Sequence, residues 1–243
     1  MIQDDLRGMM CVMWKDLRAY YLKPPNISWG ILLPLGFLLA FALREGGNLA
    51  RLAPGLLGLT LLFAATSMEA IVITFERRVG ALERLLLAPM RLPALLAGKV
   101  LGGMVFGLVM GVVVLVGVLV AFGATNVNVL VLTGAMLLGA AAFSATGALV
   151  SVAVSEVFEA QTLANTLRFP MMFLGGVFVP LAEMPGWLQV VARLLPLTYA
   201  IEALEIALHG GSPGRAALDL LVLAGYTAVL FLLSTRLLAR RLV

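Results

Sequence analysis

Charge is scarce in this chain of 243 residues, because Asp, Glu, Lys and Arg together make up only 12% of it. Soluble domains carry about 25% charged residues. The single Cys11 excludes an internal disulfide and a cysteine-based metal cluster, and the single His209 leaves no histidine pair for a zinc site. Hydrophobic residues supply 62% of the chain. These proportions predict an integral membrane protein.

The apolar residues are gathered into six runs, each near the ~20 residues that a membrane-spanning helix needs. No internal repeat and no low-complexity linker separates them. The sequence therefore predicts one all-α membrane domain over residues 1–243. Pro34 and Pro170 predict kinks in the first and fifth runs. The six predicted spans are 27–43, 54–75, 94–122, 127–154, 162–181 and 216–238.

Positive charge is distributed unevenly between the two sides that six spans would define. Thirteen of the 17 Lys and Arg residues fall in the N-terminal segment, the loops after the second and fourth spans, and the C-terminal tail. The other four lie in the connections on the opposite side. Because Lys and Arg concentrate on the cytoplasmic side, we expect a multi-pass protein of a bacterial-type inner or cell membrane, with both termini in the cytoplasm.

Residues 4–22 are amphipathic but too polar to cross a bilayer. At about 100° per residue, the apolar side chains from Leu6 to Tyr21 collect on one side of a helix. We expect this helix to lie along the cytoplasmic membrane interface, with Trp14 at headgroup depth. Packing on a soluble subunit would need the same pattern and is the alternative. The charged face comprises Asp4, Arg7, Lys15 and Arg18.

The segment 75–99 is the one densely charged stretch between long apolar runs. Val79, Leu82 and Leu86 recur at helical spacing among its charges, and Pro89 ends the pattern. This predicts a short amphipathic helix on the cytoplasmic side, suited to being bound by a soluble partner. The alternative is an ordinary loop whose arginines only fix the topology.

The third run contains five glycines at small-xxx-small spacing, among them Gly107 and Gly111. Such spacing lets helix backbones approach closely in lipid. We expect the glycines to serve packing within one subunit, and a seam between two copies is the alternative.

The connection between the fifth and sixth spans carries two short amphipathic segments, 187–195 and 198–208, separated by Pro196. Neither is long enough to span a membrane. They predict an outer hairpin over 187–208 that re-enters the outer leaflet, with a flat periplasmic cap as the alternative. Glu202, Glu205 and His209 share helical spacing here, as a metal or proton site would, but also as an ordinary wet helix face would.

Among the charged residues inside predicted spans, Glu69 and Arg168 are the candidates for intramembrane polar sites. Glu69 falls about 10 Å from the cytoplasmic end of the second span, and Arg168 lies at a similar depth in the fifth. Because a charge near mid-bilayer costs at least ~2.5 kcal/mol, it usually faces protein or water and has a partner. One hypothesis is that Glu69 and Arg168 pair or line one polar cavity. The other is that each side chain reaches the interface separately.

Catalytic motifs are missing from the sequence. There is no HExxH and no GxSxG, and the chain lacks a phosphate-binding loop, since Pro93 and Val100 occupy positions that such a loop gives to Gly and Ser or Thr. Two groups of residues, however, resemble the permeases of the ABC-2 type transporters, in particular the small drug-exporter and nodulation-type permeases. They are ERRVGALERLLLAP at 76–89 with GKV at 98–100, and FVP at 178–180 with MPGWLQ at 184–189 and LPLTYAIEAL at 195–204.

This resemblance implies six spans per subunit, two permease subunits and two cytoplasmic ATP-binding subunits that hold ATP and magnesium. No cofactor is then expected in this chain itself. Residues 76–87 would be the coupling helix seated in the ATPase, and 187–208 would close the exit side. One departure is Glu205, where the family often has a basic residue. The implied coupling residues are Glu76, Arg77, Val79, Leu82, Glu83 and Leu86, and the outer residues are Trp187, Pro196, Tyr199 and Glu202.

The expected function is the membrane-spanning part of an exporter for a hydrophobic or amphipathic cargo, drug-like or lipid. Polysaccharide and heme-related cargo, and a homodimer as against a heterodimer, stay open. A stand-alone secondary carrier is the first rival, although the chain shows no repeat-related halves. A membrane-embedded enzyme and a structural scaffold are the others.

Overall fold

The computed structural model describes residues 2–24, 32, 36, 52–122 and 127–241, and every regular element in these ranges is a helix. The first predicted span, 27–43, lies outside the described residues except for positions 32 and 36. The helices are α1 (Ile2–Asp16), α2 (Ala53–Arg78), α3 (Ala81–Leu86), α4 (Leu92–Phe122), α5 (Val129–Ala153), α6 (Val157–Leu174), α7 (Gly186–Ala192), α8 (Pro196–His209) and α9 (Pro213–Arg241).

Four of these helices, α2, α4, α5 and α9, are long and apolar enough to cross a membrane. They coincide with the second, third, fourth and sixth runs of the sequence. The all-helical membrane fold that the composition predicts is therefore confirmed.

The fifth run differs from its predicted bounds of 162–181. α6 begins earlier, at Val157, and stops at Leu174. Gly176 has a φ of 88°, a conformation that L-residues rarely adopt. The pair of glycines after Leu174 ends the helix, and Pro180 keeps the following chain from resuming it before the single turn Leu181–Glu183.

The glycines of α4 bring three spans into close contact within one chain. A Cβ added at Gly107 would lie 2.9 Å from the Cβ of Ala65 on α2, closer than real Cβ atoms approach their neighbours. A Cβ added at Gly111 would meet Leu61 of α2 at 2.9 Å and Met136 of α5 at 3.0 Å. These two positions serve packing inside the subunit, which is the use we expected.

α1 and the turn that follows it contact the bundle with only part of the apolar face that the periodicity predicts. Val12, Leu17 and Tyr21 are buried, whereas the apolar Leu6 and Met10 stay about half exposed. Trp14 is also half exposed, and the guanidinium of Arg18 lies 4.6 Å from the centre of its ring. The helix thus uses one stripe for contact with the bundle and keeps a second apolar stripe free, as a membrane-interface helix would.

After Asp16, where α1 ends, the chain continues directly into a wider, five-residue π-helix, Leu17–Tyr21. The Leu22 amide donates to the Leu17 carbonyl oxygen at 2.9 Å, which closes the wider turn. Such insertions often mark functional positions. Here the π-helix carries Tyr21 into the bundle, beside α2 and α4.

Candidate functional site

The connection after α2 is a turn followed by a separate short helix. Glu76 and Arg77 belong to α2, which continues to Arg78, and α3 begins only at Ala81. Gly80 stands between the two helices with a φ of 67°. The predicted single helix over 76–87 is corrected accordingly, because the left-handed Gly80 turns the chain.

The side chains of this turn divide into an inward and an outward set. Leu82 is only 1% exposed and packs with Ile73, Leu95 and Leu96. Leu86 is partly buried against the same cluster. Leu87, in contrast, is 86% exposed. We call the outward set the exposed turn face, and it consists of Val79, Glu83, Arg84 and Leu87.

Glu76 points away from this face into a group of charges, the buried ionic cluster, formed by Lys15, Asp16, Glu76 and Lys99. The Nζ of Lys99 lies 2.5 Å from Glu76 Oε2 and 3.1 Å from Asp16 Oδ2. Lys15 pairs with Glu76 as well, and with Asp16 Oδ1 at 2.7 Å. Asp16, Glu76 and Lys99 have no exposed side-chain surface.

The buried ionic cluster joins three segments that are distant in sequence. α1 contributes Lys15 and Asp16, α2 contributes Glu76, and α4 contributes Lys99. Two positive and two negative charges balance one another, and each buried charge has a partner of opposite sign. Removing one partner from such a group typically costs about 3–5 kcal/mol, since it leaves a charge uncompensated. The cluster therefore fastens α1 to the bundle at a defined position.

Glu69 lies about two turns before Glu76 on α2, at a distance of about 10 Å along the helix axis. Its Oε2 accepts a hydrogen bond from the Tyr21 hydroxyl at 2.6 Å, while its Oε1 has no hydrogen-bond partner in the structure. Burial, with the added effect of the Glu69 carboxylate, raises the pKa of Tyr21 well above its usual value. The hydroxyl therefore stays protonated and donates a hydrogen bond to Glu69.

Arg168 has different neighbours. Its Nη1 donates to the Ser67 hydroxyl at 2.5 Å, its Nε donates to the Ala164 carbonyl, and its guanidinium lies 5.2 Å from the ring centre of Phe63. Because Ser67 and Glu69 are two positions apart, they project from nearly opposite sides of α2. Among the described residues, Arg168 and Glu69 form no ion pair, and each uses neutral partners instead.

The outer connection folds into two helices, as its sequence predicts. α7 ends at Ala192 and α8 begins at Pro196, which is buried. Between them, residues 193–195 form the hairpin turn. Trp187, on α7, is 71% exposed. The hydroxyl of Tyr226 donates to the Leu194 carbonyl oxygen in this turn. Tyr226 lies about 20 Å along α9 from Pro213, so the turn lies beside the middle of α9.

Three hydroxyl groups satisfy the carbonyl oxygens that the end of α7 leaves without helical partners. Thr198 donates to Ala192 at 2.6 Å, and Tyr199 donates to Arg193 at 2.7 Å. From α9, Tyr226 donates to Leu194 at 2.8 Å. Irregular backbone is tolerated at membrane depth only where protein satisfies it. This arrangement supports the re-entrant hairpin rather than the flat cap.

A cavity of about 610 Å³ with a mixed polar and apolar lining lies between the hairpin and residues 210–215. Arg215 closes part of it by pairing with Glu202 at 3.3 Å. Glu205 and His209 line it as well. Within the described ranges, no group of three or more His, Cys, Asp or Glu side chains is placed to hold a metal ion.

The sequence pattern of the ABC-2 type transporters matches residues 8–209, which is most of the chain. The match includes most of α1, the turn after α2 and the outer hairpin. The chain belongs to the ABC-2 type transporter family. It is therefore a transmembrane permease of the ABC-2 type.

Two relatives of this permease align along nearly its whole length. The daunorubicin resistance ABC transporter permease protein DrrB1 of Streptomyces coeruleorubidus is 28% identical over 238 residues, which cover 93% of this chain and 83% of the relative. Nodulation protein J of Rhizobium leguminosarum bv. trifolii is 28% identical over 242 residues, covering 95% and 90%. Nodulation protein J of Rhizobium meliloti (strain 1021) is 40% identical over a shorter stretch of 82 residues.

The buried ionic cluster of this ABC-2 permease is the feature that sequence reasoning missed. Periodicity gives Asp16 no role, and the charge pattern assigns Lys99 to the charged segment 75–99 rather than to a buried pair. A signal was present, because Lys99 lies one turn inside an apolar run that also contains Gly98 and Gly102. A charge at a close-packed helix face implies a partner on the neighbouring helix, and α1 supplies it.

Proposed function

We propose that this permease is the membrane-spanning subunit of an ATP-driven exporter. Two copies would combine with two cytoplasmic ATP-binding subunits, which would hold the ATP and magnesium. Membership of the ABC-2 family supports this assembly. A homodimer is the simplest form of it, and a heterodimer with a second permease is the alternative.

The exposed turn face is the observation that carries the proposal. Apolar Val79 and Leu87 project outward beside Glu83 and Arg84, while Leu82 anchors the same short helix in the bundle. A soluble ATPase can bind such a face through the two apolar side chains and recognise the charges around them. Of the coupling residues implied by the resemblance, Val79 and Glu83 then contact the partner directly. Leu82 and Glu76 hold the helix in place.

We propose further that six spans place both termini in the cytoplasm of a bacterial-type inner or cell membrane. Arg77, near the end of α2, and Arg241, at the end of α9, both donate to the carbonyl oxygen of Val154, which follows α5. The ends of three long helices thus meet on one side, together with the basic residues of that side. This agreement with the positive-inside pattern supports the proposed topology.

The proposed cargo is hydrophobic or amphipathic, either a drug-like compound or a lipid. The names of the relatives, which refer to daunorubicin resistance and to nodulation, are compatible with such a cargo. The apolar surfaces of α4, α6 and α9 that remain exposed in the single chain also support it, since a second permease copy and lipid would border a cargo path there.

The test is a pull-down of the tagged permease from its native membranes in mild detergent, followed by identification of its partners and by ATPase measurement. We expect a stoichiometric ATP-binding subunit with the wild-type protein and with Leu87→Met. Leu87→Asp should lose the ATPase and transport but remain folded. Leu82→Asp should instead lower the melting temperature. Recovery of no ATPase with wild type would contradict the proposal and favour a stand-alone carrier. Full recovery of the ATPase with Leu87→Asp would contradict the role of the exposed turn face.

A further inference from the structure

Two adjoining cavities form a cleft between α6 and α9, with α5 as its floor. The upper cavity, of about 330 Å³, is bounded mainly by Leu149, Val150, Leu167, Leu194, Tyr226 and Leu230. The lower cavity, of about 620 Å³, extends to the ends of α5 and α9. Ala153 and Leu163 line both cavities, so the two adjoin one another. Each falls within the ~300–1,000 Å³ typical of small-molecule sites.

The two ends of the cleft differ in chemistry. The upper end is apolar and stops beneath the hairpin turn, where Leu194 is 68% exposed toward the open side. The lower end is bordered by the Ser155 and Thr162 side chains and by the guanidinium of Arg241. A ligand that fits both ends must be amphipathic, with its polar part at the end that carries Arg241.

The groups that bind the Arg241 guanidinium are neutral carbonyl oxygens, so they do not cancel its charge. Arg241 Nη1 lies 3.0 Å from the Val154 carbonyl oxygen and Nη2 lies 2.5 Å from that of Ala153. Arg77 donates to the same Val154 oxygen at 2.5 Å, so two guanidinium groups of like charge converge there. Within the described residues, no carboxylate lies at ion-pair distance from Arg241. The Glu159 carboxylate at this end instead accepts from the amides that precede α6.

We propose that this cleft binds one phospholipid of the cytoplasmic leaflet as a resident ligand. The phosphate lies against Arg241, where a planar guanidinium can offer two hydrogen bonds to its oxygens. One acyl chain rises through the apolar cavity past Leu230 to the hairpin turn. A lipid so placed contacts the residues just before α6 at one end and the turn of the re-entrant hairpin at the other. The site is separate from the exposed turn face.

The experiment measures phospholipid binding to the purified full-length permease, first delipidated in detergent. Native mass spectrometry would follow the binding of phosphatidylglycerol, with diacylglycerol of the same chains as a probe that lacks the phosphate. Arg241→Gln removes the cation, and Arg240→Gln is its matched control on the same exposed helix end. Leu230→Trp fills the cavity, and Val229→Trp, at a position 56% exposed, is its matched control.

We expect one phosphatidylglycerol to bind the wild-type protein more tightly than any further molecule. Arg241→Gln should weaken that binding about tenfold or more and leave diacylglycerol binding unchanged. Leu230→Trp should abolish binding of both probes. Arg240→Gln and Val229→Trp should behave as wild type. If Leu230→Trp lowers the melting temperature of the lipid-free protein, Leu167→Trp at a more exposed wall of the cavity replaces it.

Equal binding of phosphatidylglycerol by all variants would overturn the proposal, because it would describe unspecific annular lipid. Loss of binding in Leu230→Trp with no effect of Arg241→Gln would overturn it as well, because the phosphate would then have no role. The experiment contains neither ATP nor a partner subunit. A negative result therefore leaves the proposed transport function unaffected.

Discussion

The buried ionic cluster and the hairpin turn solve the same physical problem in different ways. Both place polar groups where a membrane protein has little water. The cluster uses full charges of both signs from α1, α2 and α4, whereas the turn uses neutral hydroxyl groups on carbonyl oxygens. The side near the turn after α2 is therefore fixed by strong, mutually dependent pairs. The outer side is held by weaker contacts that can be lost one at a time.

The largest effect should come from Lys99→Met. It leaves Glu76 and Asp16 with only Lys15, so that one buried carboxylate loses its partner. We expect the free energy of unfolding to fall by about 3–5 kcal/mol, seen as a lower melting temperature in detergent. The double variant Lys99→Met with Glu76→Leu should recover a large part of the loss, because Lys15 and Asp16 remain paired at 2.7 Å. A double variant no more stable than the single one would show that the charges do not act as pairs.

Thr198→Val should have the next largest effect. Thr198 is 1% exposed, and its hydroxyl is bonded to the Ala192 carbonyl oxygen. Valine keeps the shape and removes this buried bond, while the Leu195 amide still donates to the same oxygen at 3.0 Å, so we expect a loss of about 1.5 kcal/mol. Thermal unfolding of the variant checks the value, with Thr198→Ser as the control that retains the hydroxyl. A Thr198→Ser variant as unstable as Thr198→Val would assign the effect to packing.

Tyr226→Phe should be milder. The hydroxyl of Tyr226 serves the Leu194 carbonyl oxygen from a half-buried position, and that part of the turn borders an open cleft. We expect a loss of about 1 kcal/mol, together with faster hydrogen exchange confined to residues 193–195. Exchange that rises over the whole outer connection would instead mean that Tyr226 holds the entire hairpin in place.

Glu69→Gln should have the smallest effect. Glu69 has one hydrogen bond, from Tyr21, and no ion pair within the described part of the chain, and its Oε1 is without a partner. A neutral amide can accept the same bond through its oxygen, so we expect a change below about 1 kcal/mol. A melting temperature that drops as far as in Lys99→Met would place Glu69 among the charges of the cluster after all.

The sequence was informative where local rules decide the structure. Apolar runs and the breaker Pro196 account for the long helices and the outer hairpin, whereas the break at Gly80 was not predicted and lies inside the helix expected over 76–87. The inward position of Glu76 could not be predicted from such local rules. Periodicity assigns charged side chains to the solvent side, and the partner of Lys99 on α1 is 83 positions away.

The candidate site was predicted only in part for the same reason. Val79 and Glu83 lie on the exposed turn face, as expected for a docking helix, while Leu82 faces the core and Leu87 is the most exposed of its leucines. Helical spacing finds an apolar stripe but does not say whether the stripe faces the same chain or another one. That choice depends on how the Gly80 turn directs the short helix against α4.

α2 runs without interruption for 26 residues, which is a length of about 39 Å. Near its middle, the backbone oxygen of Thr66 lies so close to Gly147 that a Cβ there would come within 2.9 Å of it. At its outer end, Gly55 is packed equally tightly against Val177, in the loop that follows α6. α2 is thus in backbone-close contact with neighbouring segments both at its centre and at its first turn. An added methyl group at Gly55 or Gly147 would have to displace α2 itself, and with it the register between the turn after α2 and the loop after α6.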